Sequence, residues 1–330
     1  MAAALGVLVS CGSVKSGEEV VAASRDSKVV VAYVTSWSEV MPDPQYMTHI
    51  NYAFGHVNES FNGVKIDNEE RLRQIVDLRK QKPELKVLLS IGGWGSGRFS
   101  EMAANDEYRR AFAADCARVV KEFALDGIDI DWEYPTSSMA NISSSPDDTE
   151  NFTLLMQDIR AAIGNEKELT LATVASARYI DFKAILPSVD FVNIMAYDMA
   201  SAPKHHSALY PSGHSGDITS DGAVTAHLKA GVPPSKLVMG MPFYGRGGDG
   251  YPSFQDYNKV GNTDTQYTEK WDEVAQVPYL ADKNDTLVFG FENPRSLAIK
   301  CQYILDKDLL GGMYWDYSGD NEQGDLRRTV

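Results

Sequence analysis

Cysteine is scarce in this chain. Three occur in 330 residues, at Cys11, Cys116 and Cys301. None has CxxC spacing or a Cys/His pattern of zinc-ligand type, which argues against a zinc ribbon or a redox pair. Cys116 and Cys301 fall in helical segments and are read as small buried hydrophobes, although sequence alone leaves a disulfide between them open. Positive charge is also short: 31 Lys and Arg against 46 Asp and Glu leave a net charge of −15. No basic patch could offset phosphate repulsion, so a nucleic-acid partner is excluded. There is no low-complexity tract, no short-period repeat and no composition shift that would mark a second folded domain. Hydrophobic residues at 43% and charged residues at 23% are those of an ordinary globular chain.

The N-terminal run MAAALGVLVSCGS is too short to span a bilayer as a helix and reads as the apolar part of an export signal. Leu8-Val9-Ser10-Cys11 resembles a bacterial lipoprotein cleavage box, which makes Cys11 the expected lipidation site and a lipid anchor to the membrane the expected attachment. The Lys or Arg that usually precedes such a run is missing. Residues 1–27 are therefore assigned to a leader and polar tether, residues 28–330 to one catalytic domain, and the location to the outside of the cytoplasm, anchored or secreted.

From residue 28 onward, short apolar runs alternate with longer amphipathic ones. Strands are expected at Val29–Val34, His49–Phe54, Val87–Ile91, Gly127–Trp132, Thr170–Val174, Phe191–Ala196, Leu237–Pro242 and Gly311–Trp315. Helices are expected at Glu69–Gln81, Glu107–Phe123, Asp147–Ile163, Gly222–Ala230 and Pro294–Lys307. Near-continuous apolar strands separated by helices imply a parallel sheet covered on both faces, and eight such units imply an α/β fold of the (β/α)8 TIM-barrel type. The long connection between strands seven and eight, with Trp271, Pro278-Tyr279-Leu280 and Leu287–Phe289, has room for a short inserted β-hairpin.

The stretch DGIDIDWEYP, residues 126–135, sets acidic residues on a strand that should be buried. Side chains alternate along a strand, so Asp129, Asp131 and Glu133 share one face, with successive Cα atoms about 6.6 Å apart. In a barrel that face is the interior, and Glu133 comes last, at the C-terminal rim where barrel enzymes place their chemistry. Ile128, Ile130 and Trp132 then face the helices. Three crowded carboxylates cannot all stay charged, so protons are shared along the column. The arrangement suits a rim carboxyl kept protonated as a general acid near neutral pH. No further ligand pattern supports a metal there, and none is expected.

Asp126-Gly127-x-Asp129-x-Asp131-x-Glu133 resembles the active-site motif of glycoside hydrolase family 18, and Trp132 with Tyr134-Pro135 resembles its chitinase branch. AYVTSW, HINYAF, LLSIGGW, NIMAYDM, GMPFYGR and GGMYWD resemble, in order, the motifs of barrel strands one, two, three, six, seven and eight, so the likeness runs from about Val29 to Asp320. It implies hydrolysis of β-1,4 bonds after N-acetylglucosamine with retention, no cofactor and no protein nucleophile, the sugar's own acetamide serving instead. Glu133 would be the acid and later the base. Asp131 would orient the acetamide, Asp129 would share a proton behind it, and Tyr197 would hold the acetamide oxygen. Trp315 would floor the reacting sugar, since sugar C–H faces stack on aromatic rings. Asp198 would bond a hydroxyl or the acid. Tyr244 and Arg246 would stand at the rim, Met195, Tyr33, Phe54 and Ser90 would close the base, and Trp37 and Trp94 would be outer platforms. The expected partner is an N-acetylglucosamine oligomer or polymer, bound by a monomer. The insertion is shorter than in many members, which favours short oligomers or random cleavage over processive grip. An endo-β-N-acetylglucosaminidase and an inactive chitin lectin are the alternatives; the second conflicts with the complete set Asp129, Asp131, Glu133 and Tyr197. In KHHSALY, residues 204–210, adjacent histidines face different ways, so a two-ligand zinc site is not expected, and the segment is placed on a loop near the cleft.

Overall fold

The computed structural model describes residues 28–248, 250–260 and 266–330; Cys11 and the leader lie outside them. The strands are β1 (Val29–Thr35), β2 (His49–Val57), β3 (Val64–Ile66), β4 (Lys86–Gly92), β5 (Gly127–Asp131), β6 (Glu168–Val174), β7 (Phe191–Met195), β8 (Leu237–Pro242), β9 (Tyr244–Gly247), β10 (Gln255–Asp256), β11 (Thr268–Asp272), β12 (Val277–Ala281), β13 (Leu287–Gly290) and β14 (Gly311–Trp315). The helices are α1 (Glu69–Val76), α2 (Phe99–Ala104), α3 (Asp106–Glu122), α4 (Asp148–Ile163), α5 (Phe182–Ile185), α6 (Ser220–Lys229) and α7 (Pro294–Asp306). Neighbours in the main sheet run β1-β14-β8-β7-β6-β5-β4-β2, all parallel, and β1 also pairs with β2. The sheet therefore closes, and its eight parallel strands are the eight expected from the apolar runs. The short β3 adds antiparallel to the outside of β2.

Both faces of each barrel strand are covered, so the strands are buried nearly throughout. On β5 and just beyond its end, Ile128, Ile130 and Trp132 face the helices, where Trp132 stacks on Phe99 of α2 (5.3 Å between centroids) and meets Phe152 of α4 edge-on (5.9 Å). Cys116 on α3 is fully buried in that outer core and Cys301 on α7 is half-buried; both are free thiols. Asparagines start three of the helices by accepting backbone N–H bonds, Asn68 from Arg71, Asn105 from Glu107 and Tyr108, and Asn293 from Ser296, which satisfies donors the first turn leaves open.

The connection after β8 is larger than a hairpin. The expected pair is there, as β11 and β12, but it belongs to a five-stranded antiparallel sheet ordered β10-β9-β13-β12-β11. The chain leaves the barrel at Phe243, and β9 continues outward and pairs with β13. Its apolar side holds Leu280, Phe289 and Phe291, so the sheet has a small core of its own beside the barrel mouth.

Candidate active site

The carboxylate column is built by register. Asp129 lies level with Ser90 on β4 and Thr170 on β6. Its Oδ2 accepts from Tyr33 Oη and Ser90 Oγ (2.8 Å each), and its Oδ1 accepts from Thr170 Oγ1 (2.6 Å) and Asn193 Nδ2 (3.3 Å). Burial raises the Asp129 pKa and the four donors oppose that rise, since donors favour the charged form. Asp129 and Ser90 are fully buried. Ser90, expected at the base of the site, thus acts one layer below the cleft wall as a donor to Asp129.

Asp131 is different. It is 4% exposed, and its Oδ1 is buried with no hydrogen-bond partner. Burial first, then repulsion from Glu133 and Asp129, holds its pKa well above the usual carboxylate range. Four donors favour the charged form of Asp129, and Asp131 Oδ1 has no donor to do the same. Gly92 makes the close strand contact possible. At φ 132° its backbone runs so near β5 that a Cβ would stand 2.0 Å from the Asp131 carbonyl oxygen, a place for glycine alone.

Glu133 follows at the rim, partly buried. Burial and, more weakly, the charge of Asp198 push its pKa up to about 7, against the hydrogen bond from Tyr134. Asp198 sits across the cleft at φ 53°, held by a two-pronged bond from Arg246, Nε to Oδ1 at 2.7 Å and Nη2 to Oδ2 at 2.6 Å. Partial burial would raise the Asp198 pKa, but Arg246 and His206 outweigh it and the net shift is downward, so Asp198 is a fixed negative charge. Arg246 itself lies against the stacked rings of Tyr244 and Phe254, 5.3 and 5.2 Å from their centroids. Tyr197 is buried, and its hydroxyl's nearest partner is the sulfur of Met313 at 3.7 Å. Burial and the neighbouring carboxylates push its pKa well up, so it remains a donor.

These groups open into a cleft of about 810 Å³. Tyr33, Phe54, Met195, Tyr197, Tyr244 and Trp315 line it beside Asp131, Glu133, Asp198 and Arg246. Trp315 forms the floor, stacked on Phe54 (5.6 Å, 22°) and tilted against Tyr33 (5.4 Å). Trp37 and Trp94 also line it, at 63% and 62% exposure, the position of outer platforms. Among the lining residues that escaped the sequence reading are Tyr134, Met139 and Phe254. Tyr134 directly follows Glu133 and could have been found from that adjacency. Met139 and Phe254 lie on irregular segments, and no local pattern points to them. Among the described residues, the peptide bonds Ala53-Phe54, Glu133-Tyr134 and Trp315-Asp316 are cis, a second feature with no sequence signal here. The structure therefore brings every sequence-assigned site residue outside the leader to the barrel's C-terminal mouth or directly beneath it.

The arrangement offers one protonated carboxyl, one buried acceptor without a donor, a tyrosine donor and an aromatic floor. That is a site for protonating a leaving group beside a ring that carries an N–H. The chain is similar to known proteins over most of its length. Chitinase A1 of Niallia circulans is 30% identical over 92% of this chain, which spans 58% of that protein. Chitotriosidase-1 of Mus musculus is 31% identical over 89% of this chain and 74% of its own. The solved structure of a glycoside hydrolase family 18 N-acetylglucosaminidase from Paenibacillus barengoltzii superposes with a TM-score of 0.85 at 32% identity, covering 92% of this chain and 99% of that one. The family model described as "Glycosyl hydrolases family 18" matches residues 29–320. That span takes in the carboxylate column, its aromatic floor and the inserted sheet, and the chain belongs to the glycosyl hydrolases of family 18.

Proposed function

We propose that the protein is a chitinase that hydrolyses β-1,4-linked N-acetylglucosamine chains with retention. The observation that carries the reading is Asp131 Oδ1, a buried acceptor with no donor, next to a carboxyl whose pKa is pushed up to about 7. A buried acceptor left unpaired costs stability; a substrate amide N–H would satisfy it. The sugar stacks on Trp315, its N–H bonds Asp131, and its acetamide oxygen meets the Tyr197 hydroxyl. That oxygen attacks the anomeric carbon as the glycosidic C–O bond breaks, and Glu133 gives its proton to the leaving oxygen. The positive oxazolinium ion that forms is stabilised by the Asp131–Asp129 pair. Water then adds from the vacated side, Glu133 takes its proton, and the anomeric configuration is retained. Asp129 holds its place through four donors. No step calls on a metal or cofactor.

A second reading is supported by the structural similarity to the Paenibacillus barengoltzii N-acetylglucosaminidase over nearly its whole length: release of single sugars from a chain end. The test is a mass-spectrometric product profile on the N-acetylglucosamine hexamer. Dimer and trimer support the chitinase; monomer as first product supports the second reading. Glu133→Gln should lower kcat by about 10²–10⁴ and Asp131→Asn by roughly 10²–10³. Turnover unchanged in either variant would refute the assigned chemistry. The leader and Cys11 support export and lipid anchoring outside the cytoplasm. Fatty-acid labelling of the wild type but not of Cys11→Ser is the expected result; unlabelled wild type made with a complete leader would count against the anchor.

A further inference from the structure

His205 and His206 do face opposite ways, and each has found different company. His206 turns to the cleft, its Nδ1 3.4 Å from Asp198 Oδ1 and its ring against Tyr244. His205 turns to the inserted sheet, with Nε2 3.2 Å from Oδ2 of Asp272 at the end of β11. The loop between β7 and α6 doubles back so that the His205 N–H donates to the His214 carbonyl at 2.7 Å. This brings the His214 ring to 6.1 Å from that of His205, with Tyr279 of β12 edge-on to both. One ligand atom each of His205, His214 and Asp272 then lie within 4.8 Å of one another.

From this geometry we infer a metal site: His205, His214 and Asp272 bind one divalent transition-metal ion of the zinc class, with water as fourth ligand. The donor set is two imidazoles and one carboxylate, a combination such ions take with an open position. With metal–ligand bonds of about 2.0–2.2 Å, tetrahedral ligands stand roughly 3.4 Å apart. His205 Nε2 and Asp272 Oδ2 are already at 3.2 Å, and His214, on the exposed side, has freedom to close the remaining gap. Asp272 is fixed from behind: its Oδ1 accepts from the N–H groups of Val274 and Ala275 at 2.9 Å, and Ser212 Oγ donates to Oδ2 at 2.8 Å. Outer-shell bonds of this kind orient metal ligands. His205 is 2% exposed and Asp272 partly buried, so the ion would sit against the protein and meet solvent on the His214 side. Two ligands belong to the loop that carries His206 and one to the inserted sheet, so the ion would staple together two walls beside the cleft. Its role is structural, and the hydrolytic chemistry is separate from it.

The test is zinc content and cobalt binding by the full chain after treatment with a chelator and dialysis against Zn²⁺ or Co²⁺. The expected wild-type result is one ion per chain, a visible cobalt spectrum of low coordination number, and a melting temperature raised by zinc. His214→Ala changes an exposed residue and should keep the fold; it and Asp272→Asn should each weaken binding by at least about tenfold and abolish the zinc-dependent rise. Glu133→Gln should bind as the wild type does, which separates this site from the cleft carboxylates. Failure of the wild type to retain an ion, or equal binding by His214→Ala and Asp272→Asn, would overturn the assignment and leave the His205–Asp272 contact as a hydrogen bond alone.

Discussion

At the scale of single residues, the site is a set of conflicts between charge and burial, each turned to use. In the proposed mechanism Glu133 must be protonated to act as acid, and burial together with Asp198 brings its pKa to about 7. The alkaline limb of kcat/KM, which reports the free enzyme's acid, should therefore fall near pH 7. Asp198→Asn removes a negative charge and frees the Arg246 guanidinium that it holds at 2.6–2.7 Å; both changes favour ionised Glu133, so the limb should move to lower pH. A limb that stays in place would mean that Asp198 does not act on the acid. The same conflict has a cost in stability. A carboxyl whose folded pKa is raised above its unfolded value of 4.5 binds more protons folded than unfolded between those two values, so stability is lost as pH rises from about 4.5 to about 7. Each unit is about 1.4 kcal/mol, an upper limit for a group partly open to water. Glu133→Gln cannot ionise. Its melting temperature should exceed the wild type's by a few degrees at pH 8, and by less at pH 5. An equal difference at both pH values would show that the acid is not strained by its surroundings.

At the scale of elements, what could be read from the sequence was what lies within one element. The eight strands declared themselves by apolar runs, and the site by side-chain alternation on β5 and the motifs at strand ends. The five longer helices fall within two residues of expectation except α1, which ends at Val76 and continues to Lys80 as a 3₁₀ turn. The six-residue α2 and four-residue α5 are too short to show a helical stripe. The contacts that set the loop after β7 were not legible, because they join residues far apart in the chain. Lys300 on α7 is completely buried with Glu292; its Nζ bonds Glu292 Oε1 and, at 2.6 Å, the Ser207 carbonyl, while Ser207 Oγ donates to the same carboxylate oxygen at 2.6 Å. Nothing in a lone Lys and a lone Glu announces that pair. It anchors the loop one residue from His206, which faces Asp198. Removing one charge leaves the other buried and unpaired, so Lys300→Met should destabilise by about 3–5 kcal/mol, whereas Lys300→Met with Glu292→Leu should cost much less. Denaturant unfolding of the two variants measures the difference. Equal losses would show that the pair's worth lies in packing rather than in charge.

At the scale of the whole molecule, the net charge of −15 bears on which polymers reach the cleft. A neutral N-acetylglucosamine chain feels no net attraction to that field, and its binding rests on ring stacking and hydrogen bonds with Trp315, Trp37, Trp94 and the polar groups between them. A partly deacetylated chain carries ammonium groups and is drawn in, since a surface of one sign raises the local concentration of opposite charge. The two substrates should therefore respond differently to salt. Between about 0.01 M and about 1 M, where the screening length shrinks from about 30 Å to about 3 Å, kcat/KM on the neutral hexamer should change by less than about twofold. On cationic oligomers of matched length it should fall on the order of tenfold. The acetamide requirement sets a limit on that advantage. A sugar that has lost its acetyl group has neither the N–H that satisfies Asp131 as an amide does nor the carbonyl that attacks the anomeric carbon, so cleavage on these oligomers should occur only where the reacting unit is acetylated. Matching salt slopes for the two substrates would show that the acidic surface is remote from the path of approach and serves solubility alone.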